Sequence, residues 1–532
     1  MPFSAPRRPR SLPLAVAGLS ALLAGGVAWA ASPASNVRSF GALGSLGAGT
    51  APRGELLAAS DGFLYGTASS GGSTGYGAIF RIAADGTVTL VYALGSATTD
   101  GIQPYAGLAE GPDGNFYGTT YFGGERSQGT VFKLTRAGTF TTLKSFDGRD
   151  GGAFYPYGGL ATGPDGALYG TTLRGGTNDA GSVYRIATDG SFSLLHSFGG
   201  ATGQNPESTL VLGRDGNFWG TTLIGGKNDR GTIFKITPTG TLTVVYEFPP
   251  LGAFNAAGVG TNAEGANPRS GLTQGPDGNF YGTTYQGGTG GYGTVFRLTP
   301  AGTYTVLRAF QGGPRDGSGP LGAVLVAADG TLYGTTERGG YSSAGTVWRI
   351  SPAGTYTLLH SFSSLPVDGA TPYTGLVAWN GSLVGVSFTD STTGGGTVYG
   401  LQLPDAGNSL PLDLQLSVDS VTLGGSATLS WSAPDQASCT AGGAWSDTIS
   451  TSGTKVQTPA SVGIYNFALG CVDAAGVQRY AFAPLIVNSP PAQTVDGGAT
   501  GSAGALGGWF LAALAGLAGF RRRRRLQQPA VH

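Results

Sequence analysis

Residues 105–146 read YAGLAEGPDGNFYGTTYFGGERSQGTVFKLTRAGTFTTLKSF, and this unit decides the fold. Its Phe-Tyr-Gly-Thr-Thr core or a close variant recurs with its glycine at positions 66, 118, 170, 220, 282, 334 and 385, at spacings of 52, 52, 50, 62, 52 and 51. Each unit contains four short runs of β-branched and aromatic residues, separated by glycine-rich turns. Four strands in about fifty residues are typical of a propeller blade. The sequence therefore predicts an all-β fold with a seven-bladed β-propeller over residues 37–403.

The ends of this array predict how the ring closes. A fourth strand ending in phenylalanine completes five of the units, at Phe146, Phe198, Phe248, Phe310 and Phe362. It is missing after the seventh unit and is found instead before the first, as VRSF ending at Phe40. We therefore expect the N-terminal strand 37–41 to complete blade 7, which an open solenoid would not need.

Composition restricts the function. The chain has 532 residues, with 97 Gly, 30 Pro and only 11% charged residues, against a usual share of about 25%. Eight of its 30 basic residues lie in the two terminal segments, which leaves 22 against 30 acidic ones, so a nucleic-acid partner is disfavoured. Three His and two Cys are too few for a zinc site or a Cys/His pair. We expect no catalytic residues, cofactor or metal.

Turn chemistry separates the two rims of the propeller. The link between the first and second strands is a tight turn whose aspartate (Asp113, Asp165, Asp215 and Asp277) favours turn capping over calcium binding. The longer, variable links share the other rim, which we expect to carry recognition. Two alternatives remain on that rim. The tyrosines that follow a proline (Tyr105, Tyr157 and Tyr373) could serve packing, and the charged residues Arg126, Lys227 and Arg230 could be solvated loop charges. The candidate binding residues on that rim are Tyr76, Tyr105, Arg126, Tyr157, Lys227, Arg230, Tyr292, Tyr341 and Tyr373.

The third strand of most units carries a basic residue at one fixed place. These residues are Arg81, Lys133, Arg185, Lys235, Arg297 and Arg349, with Gly400 in the seventh unit. Because the position repeats with the fold, we interpret it as structural, with the stem packed and the charged head paired or solvated. An anion-binding ring is the alternative.

The N-terminus has the features of an export signal. Residues 1–30 have a basic start, an apolar run and Ala-Trp-Ala at 28–30. We predict a signal peptide that engages the Sec machinery and is cut after Ala30; a retained signal anchor is the alternative. The remaining chain would then fold in an oxidising compartment.

The repeat unit resembles the Gloeo_Verruco (GloVer) repeat, which is found in tandem in bacterial surface proteins. The resemblance rests on GPDGNFYGTTY, the Gly-Gly pair and GTVFKLT, and it covers roughly residues 37–403. It implies an exported repeat array with various anchors. It implies neither a ligand nor a reaction.

A second domain is predicted after a linker at 404–411. Residues 412–488 alternate apolar and polar residues with frequent turns, which favours a small β-sandwich. Cys439 and Cys471 are the only cysteines, and we expect them to form a disulfide within it. The segment resembles bacterial immunoglobulin-like (Ig-like) domains, with Trp431 as a core residue.

The C-terminus predicts how the protein is attached. A spacer at 489–504 precedes an apolar and arginine-rich segment at 505–525. This segment resembles the GlyGly-CTERM sorting tail of Gram-negative bacteria, which a rhomboid-type protease recognises. The match rests on Gly507, Gly508, Arg521, Arg522, Arg523, Arg524 and Arg525. Retention as an inner-membrane anchor facing the periplasm is the alternative.

These features together predict a function class. We expect an exported protein, attached to the cell surface or released, that binds an extracellular glycan or protein without catalysis. A lyase or glycosidase on a propeller is the first alternative, and would need an acid/base cluster confined to some blades. A passive envelope or matrix component is the second.

Overall fold

The computed structural model describes residues 36–42, 49–149, 152–363, 368–389, 395–402, 413–433, 436–446, 448–473 and 478–490. Within these ranges the regular structure is β-strand, apart from one turn of 3-10 helix at Gly200–Thr202. No helix in the described part of the chain is long and apolar enough to cross a membrane. The predicted signal peptide, the linker 404–411, the segment 505–525 and its sorting residues lie outside the described residues.

Each sequence repeat forms one antiparallel sheet, and the sheets are called sheet 1 to sheet 7 along the chain. The N-terminal strand and the strands of the first three repeats are β1 (Asn36–Ala42), β2 (Thr50–Pro52), β3 (Leu57–Ala58), β4 (Leu64–Ser70), β5 (Ala78–Ile82), β6 (Val88–Ala93), β7 (Gly101–Ile102), β8 (Ala109–Glu110), β9 (Phe116–Thr120), β10 (Phe122–Gly123), β11 (Thr130–Leu134), β12 (Phe140–Ser145), β13 (Ala161–Thr162), β14 (Leu168–Thr172), β15 (Ser182–Ile186) and β16 (Phe192–Ser197). The strands of the last four repeats are β17 (Val211–Leu212), β18 (Phe218–Thr222), β19 (Thr232–Ile236), β20 (Leu242–Glu247), β21 (Thr273–Gln274), β22 (Phe280–Thr284), β23 (Thr294–Leu298), β24 (Tyr304–Ala309), β25 (Gly317–Ser318), β26 (Leu325–Val326), β27 (Leu332–Thr336), β28 (Arg338–Gly339), β29 (Thr346–Ile350), β30 (Tyr356–Ser361), β31 (Ala370–Pro372), β32 (Val377–Trp379), β33 (Ser382–Thr389) and β34 (Thr397–Gln402).

The order of strands within a sheet follows the chain. Sheet 2, for example, is β8-β9-β11-β12, and sheets 3 to 6 repeat that order. The short pairs β7-β10 and β25-β28 lie beside sheets 2 and 6 in the links. The two central strands of each sheet are almost completely buried, which explains why they are rich in Phe, Val and Ile instead of alternating with polar residues.

The glycine of the repeated motif is required by the ring that covers it. In every sheet this glycine lies directly opposite an aromatic residue of the neighbouring strand. The seven pairs are Gly66 with Phe80, Gly118 with Phe132, Gly170 with Tyr184, Gly220 with Phe234, Gly282 with Phe296, Gly334 with Trp348 and Gly385 with Tyr399. A Cβ atom on the glycine would come within 2.3–2.7 Å of that side chain, so only glycine fits.

The two threonines after that glycine fasten the sheet to its surroundings. The first donates to a carbonyl oxygen of the next repeat: Thr119 Oγ1 lies 3.0 Å from Gly158 O, and Thr335 Oγ1 lies 2.7 Å from Thr374 O. The second bonds to a hydroxyl on the adjacent strand, as Thr120 does with Thr130 at 2.8 Å. Both threonines are buried, so each satisfied hydroxyl avoids a desolvation cost.

The apolar cores lie between the sheets. Seven clusters of buried residues each join two consecutive sheets. Tyr117 and Leu168, for example, belong to the cluster between sheets 2 and 3. The last cluster brings Val384 of sheet 7 against Leu64 and Phe80 of sheet 1. The contacts therefore form a closed cycle, and the arrangement is β-propeller-like.

Strand β1 is the fourth strand of sheet 7. It pairs antiparallel with β34, with Ser39 opposite Tyr399. Its other edge pairs with strand β42 (Gln478–Asn488), with Val37 opposite Tyr480. Through this pairing one sheet runs from sheet 7 into the C-terminal module, and the described residues up to Asn488 belong to one compact unit. The junction covers an edge of β1 that would otherwise be unpaired.

The C-terminal module has two layers of strands around one core. Its remaining strands are β35 (Asp413–Leu416), β36 (Ser420–Thr422), β37 (Ala427–Ser432), β38 (Gln436–Gly443), β39 (Thr448–Ile449), β40 (Ser452–Gln457) and β41 (Gly463–Asp473). Leu429 and Trp431 from one layer pack with Phe467 and Leu485 from the other. The predicted disulfide between Cys439 and Cys471 is confirmed, and it joins neighbouring strands β38 and β41 of one layer.

Replacing a motif glycine tests the glycine-aromatic pairs. In Gly118→Ala the new Cβ would lie 2.4 Å from the Phe132 ring and 2.9 Å from Leu108, so we expect an overpacking loss of about 1–3 kcal/mol. Urea denaturation of both proteins measures it. Gly200→Ala is the matched control, because a Cβ there meets nothing within 4 Å. Equal midpoints for the two variants would contradict the steric explanation.

Candidate functional site

A left-handed residue followed by proline begins every sheet. The seven residues, with φ between 55° and 64°, are Ala51, Gln103, Tyr155, Asn205, Asn267, Gly319 and Thr371. Six of them are not glycine, and proline follows each one, a combination that the backbone rarely adopts. Hydrogen bonds hold it: Gln103 N–H donates to Tyr76 O at 2.9 Å, and Gln103 O accepts from Tyr121 N–H at 3.0 Å. Gln103 therefore connects the loop of sheet 1 that contains Tyr76 to sheet 2, at the end of strand β9.

The residue after each proline lines a common cavity. This cavity, of about 370 Å³, lies where the links of all seven sheets meet. The residues of this mouth ring are Arg53, Tyr105, Tyr157, Glu207, Arg269, Leu321 and Tyr373. Small residues follow at the next position in every repeat (Gly54, Ala106, Gly158, Ser208, Ser270, Gly322 and Thr374). Each repeat therefore contributes one residue to the mouth ring, and the residue that follows it is small.

Arg53 lies among aromatic rings. Its guanidinium carbon is 4.8 Å from the ring centre of Tyr105, 5.2 Å from that of Tyr373 and 4.9 Å from that of Phe388. These are distances at which a cation is attracted to the ring face. Its Nε atom is buried without a hydrogen-bond partner, and no acidic side chain among the described residues pairs with it. Arg53 is thus a half-buried cation held by rings alone.

The other arginine of the mouth ring has an acidic neighbour. Arg269 Nε lies 3.9 Å from a carboxylate oxygen of Glu207, which is close enough for attraction but too long for a hydrogen bond. Burial raises the pKa of Glu207, and the charge of Arg269 opposes that rise. Arg269 also lies 5.0 Å from the ring centre of Tyr285, whose hydroxyl donates to Glu337.

Glu55 is the one acidic residue at the third position after the proline. Glycine, alanine or threonine fills this position in the other six repeats (Gly107, Gly159, Thr209, Gly271, Ala323 and Gly375). Its Oε1 accepts from the backbone N–H of Ala323 at 3.2 Å, so the side chain reaches across the cavity from sheet 1 to sheet 6. The Glu55 side chain is open to water in the cavity, but the protein that surrounds the cavity partly desolvates its carboxylate. This desolvation raises the pKa of Glu55, whereas hydrogen bonds from the N–H groups of Ala323 and Gly375 lower it.

The ionisation of Tyr157, in the mouth ring, is suppressed by its surroundings. Burial raises its pKa well above the ordinary value, and the charge of Glu207 adds to the rise. Tyr157 therefore stays protonated near neutral pH and can donate a hydrogen bond, but it cannot serve as a base.

The sequence-predicted rim residues fall into three groups. Tyr105, Tyr157 and Tyr373 belong to the mouth ring. Tyr76, Arg126 and Lys227 are exposed in loops that do not line the cavity, with Tyr76 52% exposed. Tyr341 is 6% exposed, and Arg230 and Tyr292 are half-buried, Tyr292 against the core between sheets 5 and 6.

Sequence reasoning missed Arg53, Glu55, Glu207 and Arg269. The signal that would have found them is the proline itself, which recurs at 52, 104, 156, 206, 268, 320 and 372 with the period of the repeat. Reading the residue after each proline gives the mouth ring directly.

The opposite rim carries repeated turn caps, as the sequence predicts. Asp113 accepts from Asn115 N–H at 3.2 Å, from the Tyr117 hydroxyl at 2.7 Å and from Lys133 Nζ at 2.8 Å. Asp165 has the equivalent bonds, including one to Arg185. The basic heads of the third strand at these two places therefore pair with the turns. In the described ranges no three His, Cys, Asp or Glu side chains group so that they could hold a metal ion.

A Ser, His and Asp group near sheet 7 has a structural explanation. Asp368 lies 2.7 Å from His360 Nε2 and accepts from the Ser363 hydroxyl at 2.6 Å. Asp100, the equivalent residue before sheet 2, accepts a hydrogen bond from the Tyr92 hydroxyl, and Asp316, the equivalent residue before sheet 6, pairs with Arg308. The position therefore fastens the link between sheets and lies away from the mouth ring.

Comparison with known proteins identifies the repeat. The profile of the Gloeobacter/Verrucomicrobia repeat matches residues 24–155, 152–261 and 249–421. No curated protein matches the chain.

Several solved structures are similar to the chain at low identity. One is the extracellular domain of a protein described as a one component system from B. thetaiotaomicron (13% identity, TM-score 0.43, 83% of this chain and 56% of that chain). Others are a protein described as a 6-phosphogluconolactonase from Bacteroides fragilis (16%, 0.41, 64% and 97%) and BP39L lectin from Burkholderia pseudomallei (12%, 0.40, 78% and 94%). The chain spans little more than half of the first. At these scores the likenesses carry no ligand or reaction over to this chain.

Substitution of Glu55 tests its environment by pH. Because the folded pKa is raised, the folded state binds more protons than the unfolded chain above about pH 4.3, and the wild type loses stability as pH rises through this window. Glu55→Gln keeps an acceptor for Ala323 N–H but does not titrate. We expect its melting temperature to exceed that of the wild type at pH 8, and the difference to shrink towards pH 5.

Glu125→Gln, in an exposed loop outside the cavity, is the matched control. A Glu55→Gln protein that is less stable than the wild type at pH 8, by an amount that shrinks towards pH 5, would show instead that the ionised carboxylate stabilises the fold.

Proposed function

The chain belongs to the Gloeobacter/Verrucomicrobia repeat family, and we propose that residues 37–403 form a seven-bladed β-propeller whose mouth binds an extracellular ligand without transforming it. One observation carries this proposal. The motif glycine and the proline are the same in all seven repeats, whereas the mouth ring reads Arg, Tyr, Tyr, Glu, Arg, Leu and Tyr. Variation on a rigid frame, at side chains that share a cavity, is typical of a recognition site.

The chemistry of the cavity favours a glycan. Tyr157 and Tyr373 offer aromatic surface together with hydroxyl groups, and Glu55 offers a carboxylate in the same cavity. Sugars present both apolar ring faces and many hydroxyl donors, which this combination suits. A protein ligand would need a flatter and larger surface than a cavity of about 370 Å³.

A polysaccharide-active enzyme is the second candidate. Glu55 and Glu207 both line the cavity, and paired carboxylates are what glycoside hydrolysis requires. Their raised pKa values would suit a proton donor. Release of reducing ends or unsaturated products from any polysaccharide would overturn the non-catalytic proposal.

Export fits the rest of the chain. The disulfide in the C-terminal module is typical of an oxidising compartment. We propose residues 1–30 as a signal peptide, 412–488 as an Ig-like sandwich after the linker, and 489–504 as a spacer before the sorting segment 505–525. The protein would then be attached to the surface of a Gram-negative cell or released from it.

Binding at the mouth is testable on a glycan array followed by calorimetry. We expect Tyr157→Ala in the full-length chain to lower the affinity for the best-binding glycan at least tenfold, because a central aromatic contact often contributes about 2 kcal/mol to binding. Phe254→Ala is the control: this ring is 74% exposed and does not line the cavity, so affinity should not change. Binding that tolerates Tyr157→Ala, in a variant that melts normally, would place the site elsewhere.

The intact mass of the protein recovered from cells tests the proposed processing. We expect an N-terminus at Ala31 and a C-terminus near Gly507, because both predicted cleavage sites adjoin apolar segments. A mature chain that ends at His532 would support permanent anchoring instead.

A further inference from the structure

The two arginines of the mouth ring differ in their partners. Arg269 has Glu207 of the adjacent repeat 3.9 Å away. Arg53 is three repeats distant around the ring, as far as a cycle of seven allows, and forms no ion pair with a carboxylate of the described residues. Two buried or half-buried arginines elsewhere, Arg185 and Arg308, each form an ion pair, with Asp165 and with Asp316. The guanidinium of Arg53 therefore forms no direct ion pair inside the cavity.

The neighbours of Arg53 leave its N–H donors available. The rings of Tyr105, Tyr373 and Phe388 lie about 5 Å from the guanidinium carbon, and their π faces accept no conventional hydrogen bond. They hold the group in place and reduce its contact with water. A guanidinium fixed in this way binds a planar carboxylate through two parallel N–H bonds with little loss of side-chain freedom.

The other charges of the cavity limit what kind of anion fits. Glu55 and Glu207 line the same space, so a ligand with many negative groups would be repelled. A ligand with one carboxylate near Arg53 and hydroxyl groups elsewhere fits better, because the Glu55 carboxylate in the same cavity can accept hydrogen bonds from those hydroxyl groups. The cavity lies at the small end of the range for ligand pockets, roughly 300–1,000 Å³, which favours a short segment of chain.

We propose that the ligand is an acidic saccharide, a chain containing uronic acid, whose carboxylate is bound by Arg53 at the mouth of the cavity. This inference rests on the proposed glycan-binding function and adds the class of sugar and the residue that selects it. Arg53 determines specificity here, while Tyr157 and Glu55 contact the neutral part of the sugar.

Calorimetry on the full-length chain in detergent tests the charge requirement. The probes are disaccharides in which one uronic acid (glucuronic, galacturonic or mannuronic acid) is linked to a neutral sugar, each compared with its carboxyl-reduced counterpart, which keeps the ring and hydroxyl groups but lacks the charge. We expect at least one uronate to bind at least tenfold more tightly than its reduced form. Equal affinity of the two forms, or no binding of any uronate, would overturn the proposal.

Substitutions then test whether Arg53 is the residue that selects the acid form of the sugar. Arg53→Gln should remove the preference for the acid form, and Arg53→Lys should recover only part of it, because an ammonium cannot make the bidentate contact. Arg149→Gln, whose side chain is 70% exposed and outside the cavity, should leave the preference unchanged. An unchanged preference in Arg53→Gln would refute the assignment. If this variant does not fold, the comparison of acid and reduced sugars on the wild type still decides.

The outcomes also distinguish a failure of the acidic-ligand inference from a failure of the proposed glycan-binding function. Binding of neutral saccharides that depends on Tyr157 but not on the carboxylate would keep the proposed function and reject the acidic ligand. Failure of every saccharide, including on the array, would reject both. Binding of polyglutamate but of no uronate would show that the cation selects an acidic peptide, and would overturn the proposal as well.

Discussion

The covering of one glycine by one aromatic ring in each sheet is the constraint on which the rest of the structure depends. It is retained where other repeated features are lost. In sheet 7 the first threonine of the motif is replaced by Val386 and the third-strand basic residue by Gly400, yet Gly385 still lies beneath Tyr399. The aromatic ring needs that space to enter the core between sheets, so the pairing determines how one sheet packs against the next.

Because this packing and the left-handed residue before each proline hold the frame, the side chain after the proline is free to vary. A charged or aromatic residue there does not disturb the core, since the residues around it are small. The cavity can therefore hold an arginine without a direct ion pair and two carboxylates with raised pKa, which a core position would not tolerate. Stability and recognition are carried by different positions of one repeat.

The sequence predicts much of this fold because its information is local and repeated sevenfold. The all-β class, the repeat family, the turn-capping role of Asp113 and the disulfide were all readable from spacing and residue type. The mouth ring was only partly readable, since tyrosines attract attention as ligand contacts whereas Arg53 and Glu55 acquire meaning only when seven links meet. The pairing of β1 with β42 has no local signal, because edge pairing between distant segments leaves no pattern in either strand.

The double pairing of β1 has a consequence for the order of assembly. Ser39 finds its partner Tyr399 only 360 positions later, and Val37 finds Tyr480 later still. A chain that emerges N-terminus first must therefore carry an unsatisfied strand edge until almost all of it has been made, and closing so long a loop is slow. During that delay the vacant edge of β1 is exposed, and strand β34 or β42 of another chain could pair with it in place of the chain's own strands.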